Sequence, residues 1–143
     1  MNYTYNIYEL STEFYKHYNS DFFPEILRKK ERPYSVFLLK YSNEIMIAIP
    51  FRTNIKHSNG YIFSTNSHGE NSGLDYSKLA IIKNKNYIGS LAIVDSNEFK
   101  ELTKKSNIII KQVITYVTNY CNHVKGLKFI SKESFLENMD IVH

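Results

Sequence analysis

Arg52, Thr53, Lys56 and His57 fall within six consecutive positions of the run Ile49-Pro-Phe-Arg-Thr-Asn-Ile-Lys-His57. They bring together two cations, a hydroxyl and an imidazole that titrates near neutrality. Those groups suit the breaking of a phosphodiester. Without a metal, RNA cleavage needs a base for the 2′-OH proton, an acid for the leaving 5′-oxygen, and donors for charge growing on the phosphoryl oxygens. Arg52 and Lys56 fit the last role, Thr53 can orient or donate to the phosphate, and His57 is the candidate for proton transfer; Asn54 adds a further donor. Each type also has an ordinary use: a loop Thr caps a turn, an exposed His is merely solvated, and Lys and Arg decorate surfaces. His57 and His68 flank a strand-like run, but no third ligand stands at a metal-binding spacing, so no metal and no cofactor are expected.

Charge along the chain supports a polyanion as partner. The 143 residues carry a net charge of +4. Between Arg28 and Lys85 ten basic residues face four acidic ones, whereas the flanks hold eight bases and ten acids. A positive middle is expected of a surface that contacts phosphates, although a solvated basic face has the same composition. Lys29, Lys30, Lys78, Lys83 and Lys85 belong to this middle, and Arg32-Pro33-Tyr34 sets a cation beside a ring that can stack a base. The alternatives are a strand lead-in fixed by proline, and lysines that protect a strand edge. Twelve Tyr and nine Phe, with no Trp, supply flat faces for bases or for a core.

Several classes are excluded on residue patterns. The glycines form neither GxGxxG nor GxxxxGK[ST], the lone Cys121 lies on the apolar face of an expected helix, and neither a nucleophile elbow nor paired carboxylates are evident. No apolar run approaches the roughly 18 residues that span a bilayer, and the N-terminus lacks the layout of a secretory signal. A soluble, cytoplasmic protein with no membrane partner is expected.

The elements that must position the basic loop are legible in outline. Residues 3–9 alternate as a strand, Ser11 or Thr12 caps a short helix through Tyr18, and a helical turn follows over Pro24–Lys30. Tyr34–Tyr41 and Glu44–Ile49 form a hairpin about Ser42-Asn43, with Pro50 ending the second strand and residues 51–60 forming a loop. Tyr61–Phe63 is a strand, Ser64–Gly73 an exposed, mobile loop, and Leu79–Ile82 and Tyr87–Ile88 further short strands. Asp95 with Glu98 opens two helices or one kinked helix, whose second part carries the stripe Ile109, Val113, Val117, Tyr120 and Val124 and stops at Gly126. Phe129 and Phe135 cover remaining apolar surface. One domain over 1–143 follows, of α+β class, with a largely antiparallel, barrel-like sheet and a long helix near the C-terminus.

The runs RPYSVFLLKY, IMIAIPFRTNIKHSNGYIF and SGLDYSKLAII resemble the toxins of type III toxin–antitoxin systems, the group that includes ToxN, AbiQ, TenpN and CptN, with the TenpN/CptN branch closest. The resemblance covers most of the chain. It implies a MazF/Kid-like barrel and a phage-defence endoribonuclease that uses no metal and leaves a 2′,3′-cyclic phosphate. It also implies an inhibitor and partner: a small repeated RNA, processed by the toxin, whose pseudoknot fills the toxin's basic groove in a toxin–RNA hetero-oligomer. The family's hydroxyl and lysine fall on Thr53 and Lys56, and its cation before the hairpin on Arg32. ToxN relatives hold that hydroxyl and lysine closer together and carry another hydroxyl where Arg52 stands, so the roles of acid and base stay open. A non-catalytic RNA- or protein-binding module is the alternative reading.

Overall fold

Alternation along the central hairpin builds a sheet with two apolar faces. The computed structural model describes residues 3–18, 35–65 and 70–125. The expectations for Pro24–Lys30, Lys29, Lys30, Arg32, Tyr34, His68, Gly126, Phe129 and Phe135, and for the side chains of Cys121 and Val124, lie outside the described residues. The strands are β1 (Thr4–Leu10), β2 (Ser35–Lys40), β3 (Met46–Arg52), β4 (Gly60–Ile62), β5 (Gly73–Asp75), β6 (Ala80–Ile82) and β7 (Ile88–Leu91). The helices are α1 (Thr12–His17), α2 (Ser96–Lys104) and α3 (Ser106–Lys125). Two short 3₁₀ turns, Tyr76–Lys78 and Lys85–Tyr87, follow β5 and precede β7.

All pairings are antiparallel, in the order β4-β5-β3-β2-β1-β7, with β6 also paired to β3. The sheet is open, since no pairing joins β4 to β7 among the described residues. Phe37, Leu39, Ile47 and Ile49 point into the larger core, where α2 and α3 contribute Leu102, Ile109, Val113 and Val117. Val36, Leu38 and Ala48 point the other way, into a smaller core closed by Phe14 and Tyr18 of the α1 region. Covering on both faces explains why β2 and β3 read as unbroken apolar runs. The fold is thus α+β with a mostly antiparallel sheet.

Two sequence expectations are corrected. Pro50 does not end the second strand, which continues through Phe51 and Arg52. The outer edge of β3 pairs with β6 over Met46–Ala48 and with β5 over Phe51–Arg52. Pro50 falls in the gap between those partners, where its missing N–H leaves neither ladder short. Nor is the Ser64–Gly73 segment exposed throughout: Ser72 is buried, and Gly73 opens β5, which lies between β3 and β4. Three residues of the type Gly-Leu-Asp carry no readable strand period.

The remaining elements follow from local chemistry. Ser11 caps α1 by accepting from the Phe14 N–H, and Asp95 caps α2 by accepting from the N–H groups of Asn97 and Glu98. Helices α2 and α3 are separate, with Lys105 between them, and the stripe of Ile109, Val113 and Val117 is fully buried.

Candidate functional site

The geometry of the basic loop begins where β3 leaves the sheet. Phe51 stacks on Phe63 with ring centroids 6.0 Å apart, holding the strand end against the core. The chain then turns at Asn54, whose φ of 60° lies in the left-handed region. Its N–H donates to the Glu70 carbonyl, and the Ile55 N–H to that of Asn71, itself at a φ of 54°. Ile55 is buried and plugs the loop into the core, whereas Thr53, Asn54, Lys56 and His57 are exposed around it. One apolar residue therefore anchors the loop and leaves Thr53, Asn54 and Lys56 to solvent, while the His57 ring reaches a carboxylate beneath it. Asn tolerates a positive φ better than most residues, so Asn54→Ala should cost about 1 kcal/mol and Asn54→Gly close to nothing, read as shifts in denaturant midpoint.

Below this loop lies a carboxylate. Asp75, at the end of β5, is fully buried, accepts three hydrogen bonds on its two oxygens and faces a histidine ring. Arg52 Nη1 donates to Oδ2 at 2.9 Å, a diagonal pair across β3 and β5. Ser77 donates twice to Oδ1, from Oγ at 2.6 Å and from its backbone N–H at 3.0 Å. His57 Nε2 stands 3.1 Å from the same Oδ1. Burial alone would raise the Asp75 pKa, but the bonds from Ser77 and Arg52 and the facing His57 outweigh it and hold the carboxyl below its ordinary range. Asp75 is therefore an ionised anchor, unsuited to act as a base.

Ser77 Oγ also lies 3.3 Å from His57 Nε2. Serine and aspartate thus meet the same ring nitrogen, which differs from a relay triad, where they meet opposite nitrogens. The other nitrogen, Nδ1, accepts the Asn59 N–H at 3.1 Å.

Two further clusters frame the site. From α3, Gln112 accepts the Tyr76 hydroxyl at 2.7 Å, and Tyr116 lies near enough for the Asp75 charge, after burial, to raise its phenol. Glu101 of α2 accepts from the Tyr61 hydroxyl and from the N–H and hydroxyl of Ser64, tying the helix to the exit of β4. Burial and that carboxylate push the Tyr61 phenol up to about 12.

Of the four residues expected to be catalytic, the structure brings Arg52 and His57 onto one carboxylate. Thr53 and Lys56 stand exposed on the same loop. Lys78 is half-buried in the 3₁₀ turn that begins directly after Asp75. Lys83 and Lys85 follow β6, past the Met46 end of β3, while Arg52 lies at its opposite end, about 20 Å away at the rise of a strand. Only an extended polyanion can touch both. Asp75, Ser77 and Asn59 escaped sequence reasoning. The one available signal was an acid between Leu74 and Tyr76 in an otherwise positive stretch.

No group of three or more metal-ligating side chains is found among the described residues, and no helix there is long and apolar enough to cross a membrane. No protein-family model, curated protein or solved structure matches this chain.

Proposed function

We propose that the chain is a metal-independent, sequence-selective endoribonuclease toxin of the type III kind. It cleaves RNA by attack of a 2′-OH, leaves a 2′,3′-cyclic phosphate, and both processes and is inhibited by a small repeated pseudoknot RNA in the cytoplasm. The observation that carries this reading is the meeting of Arg52 and His57 on buried Asp75 directly beside the exposed Thr53 and Lys56. In this scheme one N–H of Arg52, a side chain one-third exposed, is spent on Asp75 and its remaining donors serve a phosphate. Lys56 adds a second cation for the pentavalent oxygens, and Thr53 a hydroxyl to orient the diester. Asn54 contacts the same phosphate, while Lys78, Lys83 and Lys85 track RNA along β3; Lys29, Lys30, Arg32 and Tyr34, outside the described residues, belong to the proposed RNA-binding set by type alone. Kinship with the MazF/Kid-like barrel belongs to the same proposal.

A second reading, a non-catalytic RNA-binding module, is favoured by one detail: both ring nitrogens of His57 already have partners. A cleavage assay in EDTA with single-stranded RNA separates the two. Wild type should cut and yield cyclic-phosphate ends, and Thr53→Ala and Lys56→Ala should each slow cutting by about 100-fold while RNA stays bound. Bound but uncut RNA would establish the module, and cutting that requires added Mg²⁺ would establish a metal-dependent nuclease.

A further inference from the structure

His57 is the residue whose type most invites a proton-transfer role, yet its surroundings argue otherwise. A backbone N–H can only donate, so the 3.1 Å contact from Asn59 makes Nδ1 an acceptor. The ring hydrogen of the neutral imidazole then sits on Nε2, where it faces Asp75 Oδ1 at 3.1 Å. Neither nitrogen offers a lone pair to a 2′-OH. Protonating Nδ1 would set two N–H groups against each other across the turn at residues 57–59.

The same contacts give the imidazole another use. Its Nε2 lies 3.1 Å from Oδ1 of Asp75 and 3.3 Å from the Ser77 hydroxyl that donates to the same oxygen, so the ring packs against Oδ1 from one side. A carboxylate held at Oδ1 presents Oδ2 in one direction only, and Arg52 Nη1 is there at 2.9 Å. A guanidinium gripped at one corner projects its remaining donors along a fixed line. The groups facing His57 are Asp75 of β5, Ser77 of the following 3₁₀ turn and the Asn59 amide of its own loop; Arg52 of β3 faces the shared carboxylate, whose charge also reaches the Tyr116 phenol of α3.

We propose that His57 is a positioning residue that acts through Asp75 to aim Arg52 at an RNA phosphate, and that it carries no proton during cleavage, the 2′-OH proton passing to solvent water and the leaving 5′-oxygen taking its proton from water. Its kinetic consequences rest on the ribonuclease reading; its tautomer and its effect on RNA affinity do not.

Three measurements on the full chain test this. Long-range proton–nitrogen spectra of the imidazole should show the Nε2–H tautomer, and Asp75→Asn should shift the population toward a mixture. An Nδ1–H tautomer in wild type would overturn the proposal. His57→Gln keeps an N–H donor near the Nε2 position and removes the titratable ring. It should retain kcat/KM within about tenfold of wild type with an unchanged pH profile, whereas His57→Ala should lose about 100-fold. Equal damage from both, or a limb of the wild-type profile that vanishes in His57→Gln, would show that the ring moves a proton. Should wild type cut no RNA at all, the ribonuclease reading fails by itself, and affinity for single-stranded RNA decides. His57→Gln should then bind like wild type and His57→Ala about tenfold more weakly, and equal weakening overturns the positioning role.

Discussion

Gly73→Ala is expected to be the most damaging glycine-to-alanine change among the described residues. A Cβ at Gly73 would collide with the Tyr61 carbonyl oxygen and lie 2.9 Å from its carbon and 3.0 Å from the Ile62 Cα. All three are backbone atoms of β4, so no rotamer change can relieve the contact. What glycine supplies here is space, because β5 runs between β3 and β4 and pairs with both. Opening the β4–β5 pair would pull Tyr61 from Glu101 and Phe63 from Phe51, two contacts that hold the loop exit. Overpacking of this severity costs about 3–5 kcal/mol, a large part of the roughly 5–15 kcal/mol that keeps a domain folded. A denaturant midpoint should register that loss. Gly89→Ala offers the internal control: its Cβ would stand 2.8 Å from the Glu9 oxygen, but β7 is an edge strand and can move outward. Equal midpoints for the two variants would contradict the central placement of β5.

The contrast between those glycines also marks what the amino-acid sequence makes legible. The pairing of β2 with β3, the Asp95 cap and the part of the α3 stripe formed by Ile109, Val113 and Val117 are all written in local periodicity or local hydrogen bonding, and each is present. The triplet Gly73-Leu74-Asp75 is not, because its strand character comes from the neighbours on either side. Pro50 misleads for a similar reason, since the change of partner that tolerates it lies 23 or more residues downstream in β5 and β6. The site divides along the same line. Arg52, Thr53, Lys56 and His57 stand out by type and spacing, whereas Asp75 and Ser77 reach them only through the register of β3 on β5. Glu101 is a further case, a helix carboxylate whose partners Tyr61 and Ser64 come from a distant strand and its exit.

Asp75→Asn should uncouple the site from the fold and remove a defined part of the acid sensitivity. The carboxylate takes donors on both oxygens, from Ser77 and His57 on Oδ1 and from Arg52 on Oδ2. An amide has one oxygen and one NH₂, so either orientation sets N–H against N–H or against the Ser77 hydroxyl proton. Removing one member of a buried ion pair costs about 3–5 kcal/mol, but Arg52 and His57 are each about one-third exposed and can turn toward water. About 2 kcal/mol at neutral pH is the resulting expectation. The sign of its pH dependence follows from the carboxyl's folded pKa being lower than its ordinary 3.8. Stability from Asp75 is complete above that ordinary value and is lost as pH falls through the lower, folded one. The gap between wild type and Asp75→Asn should therefore be widest near neutrality and close in strong acid. Glu101, whose pKa is also lowered, loses its share in an overlapping window. Because both proteins carry Glu101, the difference between their stability curves isolates Asp75. A gap that stays constant from neutrality into strong acid would mean that Asp75 is not held as the ionised anchor of Arg52 and His57.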